Sequence, residues 1–190
     1  MGRFRNIARL AGLAGLALLC TTSLMAQGGE GVHPDISSPV QIGVGYTFVS
    51  FFEVPKPSTV VNSSGFTASA VYYRDWVGAE AEVTDVFGST NGKNSQLLFT
   101  GGGIRLRWPT SRSIEPWVHG LVGYSRLSPQ PSYGSDSAFG YKAGAGVDFN
   151  PHHSRMAFRA SVDLMGDHFF QTYQLSPEAS VGIVFLVGRQ

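Results

Sequence analysis

Three side chains of the types used in hydrolysis lie close together in the last part of the sequence. They are His168, Ser176 and Glu178, which can supply a base, a hydroxyl nucleophile and an acid. No motif spacing requires that they act together, and Glu178 is expected to point inward from its strand. We therefore predict that the protein is not an enzyme, and keep a hydrolase at this rim as an alternative.

Sites for metals, phosphates and nucleic acids have little support in the sequence. His152 and His153 are adjacent, but no carboxylate or cysteine lies at ligand spacing from them. The glycines at 101–103 lie within a predicted strand, whereas a phosphate-binding loop lies between a strand and a helix. Arginine and lysine form no basic patch. The sequence predicts no metal, no cofactor and no nucleic-acid partner.

Charged residues recur at alternating positions in the middle of several predicted strands. Four are acidic and four are basic, and they share the face opposite the apolar residues. Charges inside a protein must pair, because an unpaired buried charge costs several kcal/mol. We predict an interior charge network of Glu80, Glu82, Arg105, Arg107, Lys142, Asp148, Arg159 and Asp163. A narrow gated ion path along the first four of these residues is the alternative.

These charges must be positioned by strands, and the strand pattern is clearest between Ala138 and Asn150. That stretch reads AFGYKAGAGVDFN. Aromatic and aliphatic residues alternate there with glycine, Lys142 and Asp148, which is the period of a strand with two unlike faces. In a membrane barrel the apolar face meets lipid and the charges face inward. Seven further segments alternate similarly: 40–52, 64–74, 76–87, 96–108, 116–126, 155–167 and 177–188. We predict an all-β fold, an eight-stranded antiparallel up-and-down transmembrane β-barrel.

Aromatic residues cluster near the ends of the predicted strands, as in the two girdles where a barrel meets lipid headgroups. One rim, beside the shorter turns, contains Tyr72, Trp76, Trp108, Trp117 and Phe149. The other rim contains Phe48, Phe87, Tyr124 and Phe139. The second rim is predicted to carry the larger loops, at 53–63, 88–95, 127–137 and 168–176.

The first 26 residues are predicted to be a signal peptide and not part of the fold. Three arginines precede an apolar run at 10–20, and Ala26 ends a cleavage site. Residues 27–39 are predicted to be a flexible lead-in to the barrel at 40–188. Charged residues make up only 14% of the 190-residue chain, against about a quarter of an average soluble domain. This composition suits an exported barrel whose outer belt carries little charge.

The pattern resembles the small eight-stranded outer-membrane β-barrels of the OmpA and OmpX type, over residues 40–188. The resemblance implies the outer membrane of a Gram-negative-type bacterium as the location. It also implies outer-membrane lipids and the barrel assembly machinery as partners. In this family the machinery reads a polar, glycine and hydrophobic pattern in the last strand. The matching residues here are Ser180, Gly182, Phe185 and Val187.

We therefore predict a structural or surface-interaction role, with a narrow charge-paired interior and no catalytic centre. Three alternatives stay open. They are the gated pore, a rim hydrolase that modifies lipid A as some family members do, and a soluble periplasmic binder of an apolar ligand, similar to a lipocalin. In the last case the cavity would be lined by Phe139, Tyr141, Phe158 and Phe185. The sequence does not identify a partner for the loops.

Overall fold

The computed structural model describes most of the chain after residue 37. The described ranges are 38–52, 60–90, 93–108, 113–130, 134–150, 154–169 and 172–188. The predicted signal peptide at 1–26, the lead-in up to residue 37, and His152 and His153 lie outside them. Within these ranges, no helix has the length and apolar character needed to cross a membrane.

The described residues form a closed barrel of eight antiparallel strands, in which neighbours in the chain are neighbours in the sheet. The strands are β1 (Val40–Phe52), β2 (Val60–Arg74), β3 (Val77–Thr90), β4 (Lys93–Arg107), β5 (Ile114–Gln130), β6 (Gly134–Phe149), β7 (Met156–Phe169) and β8 (Thr172–Val187). Val40 pairs with both Tyr72 and Val187, so β8 closes the sheet against β1. The predicted eight-stranded up-and-down barrel is confirmed. We call the end with the connections 75–76, 108–113 and 150–155 the turn end, and the opposite end the hairpin end.

The strands extend further toward the hairpin end than the sequence pattern predicts. β5 continues to Gln130 and β6 begins at Gly134, so most of the predicted loop 127–137 is strand. The predicted loops 53–63, 88–95 and 168–176 are shortened in the same way. Beyond the apolar belt the outward face becomes polar, as at Arg126 and Ser128, so the alternation of apolar outward and polar inward residues ends although backbone pairing continues. The predicted loop boundaries are wrong for this reason.

The apolar faces of all eight strands point outward. Phe139 and Phe158 are 70% and 62% exposed, and Tyr141 and Phe185 also lie on the outer surface. These are the four residues that would line the cavity of a soluble ligand binder, so that alternative is wrong in its geometry. Exposure of large apolar side chains over a whole belt is instead the pattern of a barrel surrounded by lipid.

Most of the predicted aromatic girdle lies on the outer face near the strand ends. The exposed members are Tyr72, Trp76 and Phe149 toward the turn end, and Phe48, Phe87, Tyr124 and Phe139 toward the hairpin end. Trp108 is half-buried at the turn end.

Trp117 does not belong to the girdle. Its side chain is 2% exposed and lies inside the barrel, where Nε1 donates a hydrogen bond to Asp148 Oδ1 at 3.1 Å. Trp117 shares the inward face of β5 with His119, two residues further on. Its nearness to a predicted turn suggested the rim, but its place in the alternation decides the side.

Replacing Gly146 by alanine is expected to destabilise the barrel by about 1–3 kcal/mol through overpacking. Gly146 pairs with Trp117 across β5 and β6, and a Cβ there would lie 2.3 Å from the indole Cζ2. Gly120→Ala is the matched control, since nothing lies within 4 Å of the position of its Cβ. Denaturant unfolding in lipid vesicles measures both variants, and equal losses of stability would contradict the packing argument.

Candidate functional site

The inward faces of the strands carry the ion pairs toward the turn end, and toward the hairpin end they carry an apolar cluster together with buried polar residues such as Ser95, Ser125 and Asp167. All eight residues of the predicted interior charge network lie inside the barrel, and even Arg159, the most accessible, has a side chain only 10% exposed. Each occupies the strand face opposite the apolar belt. We describe them as a lower cluster, a central cluster and a Lys142 cluster, from the turn end upward.

The lower cluster consists of Gln41, Arg107, Glu115, Asp148 and Arg159. Arg159 binds Asp148 through two hydrogen bonds, Nε to Oδ1 and Nη2 to Oδ2, both 2.7 Å. Arg159 Nη2 also donates to Gln41 Oε1 at 3.0 Å, and Gln41 Nε2 donates to Glu115 Oε1 at 2.8 Å. Arg107 Nη1 lies 3.6 Å from Glu115 Oε2. These contacts connect five strands across the interior.

The central cluster is built around Glu80. Arg105 donates from Nε to Glu80 Oε2 at 2.8 Å and from Nη2 to Oε1. The ring nitrogens of His119 lie 2.9 Å from Glu80 Oε2 and 2.7 Å from Asp163 Oδ1. Each ring nitrogen of His119 therefore faces a carboxyl oxygen, and the imidazole connects Glu80 to Asp163. Four side chains from four strands are thereby joined at the centre.

Trp117 separates the central and lower clusters. The guanidinium carbon of Arg105 lies 3.8 Å from the centre of the indole ring, and that of Arg159 lies 5.0 Å away. Both distances are within the range of a cation–π interaction. The tryptophan that the sequence pattern placed at the rim is therefore a central packing element of the charged interior.

The Lys142 cluster lies above the central cluster. Lys142 Nζ lies 2.7 Å from Glu82 Oε1, 2.8 Å from Glu178 Oε2 and 3.1 Å from Thr84 Oγ1. The ammonium group donates hydrogen bonds to Glu82 and Thr84, and its contact with Glu178 is an ion pair. Thr47 Oγ1 donates to the other oxygen of Glu178 at 3.0 Å. Lys142 thus forms ion pairs with carboxyl groups from two strands, β3 and β8.

Ion pairs form both between neighbouring strands and across the interior of the barrel. Glu80 pairs with Arg105 and Arg107 with Glu115 on neighbouring strands, whereas Glu82 on β3 pairs with Lys142 on β6. The predicted set has equal numbers of acidic and basic residues, but the interior of the barrel does not. Three further buried carboxyl groups and one imidazole join the predicted residues: Glu115, Asp167, Glu178 and His119. Their positions on the inward face were readable from the alternation, although Glu115 and Asp167 lie near strand ends.

An apolar plug fills the interior above the charges. Its members are all at most 3% exposed: Val49, Val86, Leu97, Phe99, Leu121, Leu127, Met165 and Phe169. The sequence signal for it is a change along the inward face, for example from Thr84 to Val86 in β3 and from Asp163 to Met165 in β7. Below it, a cavity of about 20 Å³ lined by Glu82, Arg105 and Asp163 has room for about one water molecule.

The residues proposed for hydrolysis do not form a site. Ser176 is 1% exposed inside the barrel and Glu178 is bound to Lys142, whereas His168 is exposed on the outer face of β7. The rim hydrolase built from these residues is therefore wrong. Ligand atoms of Glu80, Glu82 and His119 lie within 4.8 Å of one another, as in a metal site. Their carboxylates are already paired with Arg105 and Lys142.

Comparison with solved structures finds the same barrel architecture in proteins of the outer membrane. Neisserial surface protein A (NspA) has a TM-score of 0.66 at 13% identity, covering 78% of this chain and 97% of that one. OprG, an outer membrane protein from Pseudomonas aeruginosa, has a TM-score of 0.55 at 9% identity, covering 80% and 98%. The fold is that of the small eight-stranded outer-membrane β-barrels.

Ail, the attachment invasion locus protein of Yersinia pestis, is also similar. Its TM-score is 0.51 at 16% identity, and the match covers 78% of this chain and 99% of that one. No protein-family model and no curated protein matches the sequence. At such low identities the likeness is one of fold, and the role of this barrel must be argued from its own residues.

The hairpin end of the barrel separates into four two-stranded hairpins. Within hairpins the pairing reaches the last strand residues: Phe52 with Val60, Thr90 with Lys93, Gln130 with Gly134, and Phe169 with Thr172. Between hairpins it stops earlier, at Ser63 with Gly88, Gln96 with Ser128, Gly140 with Asp167, and Val49 with Glu178. The strands of adjacent hairpins therefore part before they end.

Proposed function

We propose that the protein is an outer-membrane β-barrel with a structural and surface-interaction role, which uses its four hairpins to meet partners outside the cell. The observation that carries this proposal is the division of the barrel into three zones. An apolar belt surrounds it, ion pairs and an apolar plug fill its interior, and four hairpins extend beyond the belt at one end, of which the β5–β6 hairpin is polar on its outer face.

The outer belt has the dimensions of a membrane-spanning surface. On β7 the outward apolar residues run from Met156 to Leu164, about eight steps of about 3.4 Å, or about 20 Å once the strand is tilted by about 40°. This approaches the apolar band of about 25 Å in outer-membrane barrels. In this proposal the belt contacts outer-membrane lipids, and the girdle residues lie at the headgroups.

The last strand carries the proposed contact with the barrel assembly machinery. Phe185 and Val187 lie on the outer face of β8, 42% and 47% exposed, whereas Ser180 is 8% exposed and points inward. Two outward hydrophobic residues at the turn end of the strand are accessible to a partner before the barrel closes. This arrangement supports the assembly signal that the resemblance implies.

The positions of the accessible polar residues support the surface role. Outward positions beyond the girdle on the β5–β6 hairpin are polar, among them Arg126, Ser128, Ser135 and Ser137. Ail is named for attachment and invasion, and NspA as a surface protein. In a barrel of this fold whose interior is filled, the hairpins are the parts that remain accessible to a partner.

Membrane fractionation with heat-modifiability tests the proposed location. We expect the protein in the outer-membrane fraction and a faster unboiled band on SDS gels, because a closed barrel resists unfolding in detergent. Protease treatment of intact cells should cleave only at the hairpin end. Recovery in the soluble periplasmic fraction, with identical mobility before and after boiling, would overturn the proposal.

The filled interior predicts that the barrel does not conduct ions. We expect no steady conductance when the refolded protein is inserted into planar bilayers, because ion pairs and the apolar plug close the axis. The control is a porin of known conductance in the same bilayers. Stable, ion-selective openings of the unmodified protein would instead favour the gated pore.

A further inference from the structure

A charged residue, Asp85, interrupts the apolar belt on the outer face of the barrel. It stands between Val83 and Phe87 on the outward face of β3, so it lies on the membrane side of a girdle residue. Its side chain is half-buried, and Gln96 Nε2 donates to both carboxyl oxygens, at 2.8 and 3.0 Å. One amide group leaves further acceptor positions of this carboxyl group unused. Since an ionisable side chain that faces lipid is costly, its presence indicates a polar partner.

A residue of opposite charge lies beside Asp85 on the same outer face. In the sheet register, Asp85 on β3 and Arg126 on β5 both pair with Leu98, which lies between them on β4. The two charged residues are therefore about 10 Å apart, which is two strand spacings. Arg126 is exposed and forms no ion pair with another residue of the described ranges. Leu98 thus has an acid on one side and a base on the other.

The outer face next to this row is built from small side chains. Toward the turn end, the next two rows of β2, β3 and β4 carry no outward residue larger than valine. They are Ala68, Ala70, Ala81, Val83, Thr100 and Gly102. A Cβ at Gly102 would have only the carbonyl oxygen of Glu80 within 4 Å, at 3.2 Å. On β7, β8 and β1 a comparable row is bulky, with Phe158, Ile183 and Val44. Small residues let membrane-spanning surfaces approach each other closely, as between helices.

We propose that this surface, the outer faces of β2–β5 around Leu98, binds a second copy of the chain side by side in the membrane. The inference rests on the proposed outer-membrane location, and it names a partner for the barrel wall and not for the hairpins. Two copies related by a twofold axis parallel to the barrel axis present the same surface to each other. With that axis near Leu98, Asp85 of each copy faces Arg126 of the other, because the two charges lie on opposite sides of the axis.

The charge arrangement favours a second copy over a lipid headgroup. Two ion pairs form across the twofold axis, and each joins a carboxyl group in the belt to a guanidinium group that has no partner in its own chain. The small residues beside them allow the two belts to touch. A copy of the same chain therefore satisfies both charges with one contact.

Crosslinking in isolated outer membranes tests the proposal. Leu98→Cys is treated with a bismaleimide about 10 Å long, which matches the spacing of two packed sheets, and dimers are measured on denaturing gels. Leu175→Cys is the matched control, because Leu175 is also an outward leucine toward the hairpin end but lies on β8, across the closed barrel from β4. We expect a crosslinked dimer from Leu98→Cys, and little from Leu175→Cys or the unmodified protein.

Charge exchange in the Leu98→Cys background separates ion pairs between copies from other roles of the two charges. Asp85→Arg makes both positions basic and Arg126→Asp makes both acidic, so each variant alone should give at least about tenfold less dimer. When the two variants are produced together with different tags, both contacts of the mixed dimer are complementary, and crosslinking should return. Should either variant fail to fold, Asp85→Asn with Arg126→Gln removes both charges and should also lower the yield of dimer.

Four results would each overturn the proposal. They are no dimer from Leu98→Cys, equal crosslinking at positions 98 and 175, dimers that are insensitive to the charges, and no recovery in the mixture. The last result would mean that the two charges act within one copy or on lipid headgroups.

Heat-modifiability of every variant distinguishes this inference from the proposed function. A heat-modifiable barrel in the outer membrane that forms no dimer would contradict the paired surface alone. A protein that does not fold as an outer-membrane barrel would contradict the proposed function itself.

Discussion

Replacing Lys142 by methionine is expected to destabilise the folded barrel by about 3–5 kcal/mol. The substitution leaves Glu82 and Glu178 buried without the ammonium group that contacts them at 2.7 and 2.8 Å. Methionine has a similar length and volume, so the loss reports missing charge more than missing packing. Guanidinium unfolding in lipid vesicles, followed by tryptophan fluorescence, measures the change.

Removing the two carboxylate charges as well should restore most of this stability. In the triple variant Lys142→Met, Glu82→Gln and Glu178→Gln, neutral amides replace ions, and amides are less costly to bury. Arg155→Met removes one positive charge at an exposed position of the turn end and should leave the unfolding midpoint unchanged. If the triple variant is as unstable as Lys142→Met alone, charge pairing is not what Lys142 contributes.

Replacing Val162 by arginine is expected to cost about 2–4 kcal/mol. Val162 is 59% exposed on the outer face of β7, where it pairs with Ala145 and Ala179 in the middle of the belt. If this face contacts lipid, a guanidinium group there must leave water for hydrocarbon. Unfolding in vesicles and the fraction of heat-modifiable protein both measure the effect.

Met156→Arg is the matched control for this substitution. Met156 is outward on the same strand and 52% exposed, but it lies at the turn end, where an arginine side chain can reach the headgroups. Its cost is expected to be about 0–1 kcal/mol. Equal, small losses at the two positions would mean that the belt does not lie in a membrane.

The residues that face outward and inward were predictable because alternation is a local property. Each side chain on a strand points opposite to its neighbour, so Phe139 and Tyr141 had to share one face and Lys142 the other. The structure keeps this assignment along β6. The prediction for Trp117 is wrong because its nearness to a turn was given more weight than the alternation, which places it on the same face as His119.

The partners of the interior charges were not predictable in the same way. Glu82 and Lys142 are 60 residues apart in the sequence, and they meet because the sheet closes and brings β3 opposite β6. Arg107 lies on the strand next to that of Glu82, but it is closer to the turn end and pairs with Glu115. Which charges meet depends on the curvature and stagger of the closed barrel, which no local pattern contains.

The sequence by itself determined the number of strands, the two faces of each strand and the charged character of the interior, because these follow from a period of two residues. Only the tertiary structure decided how far the strands extend beyond the belt, which ion pairs form, and that an apolar plug closes the hairpin end. These features depend on register between strands, and register is set by contacts around the whole closed sheet.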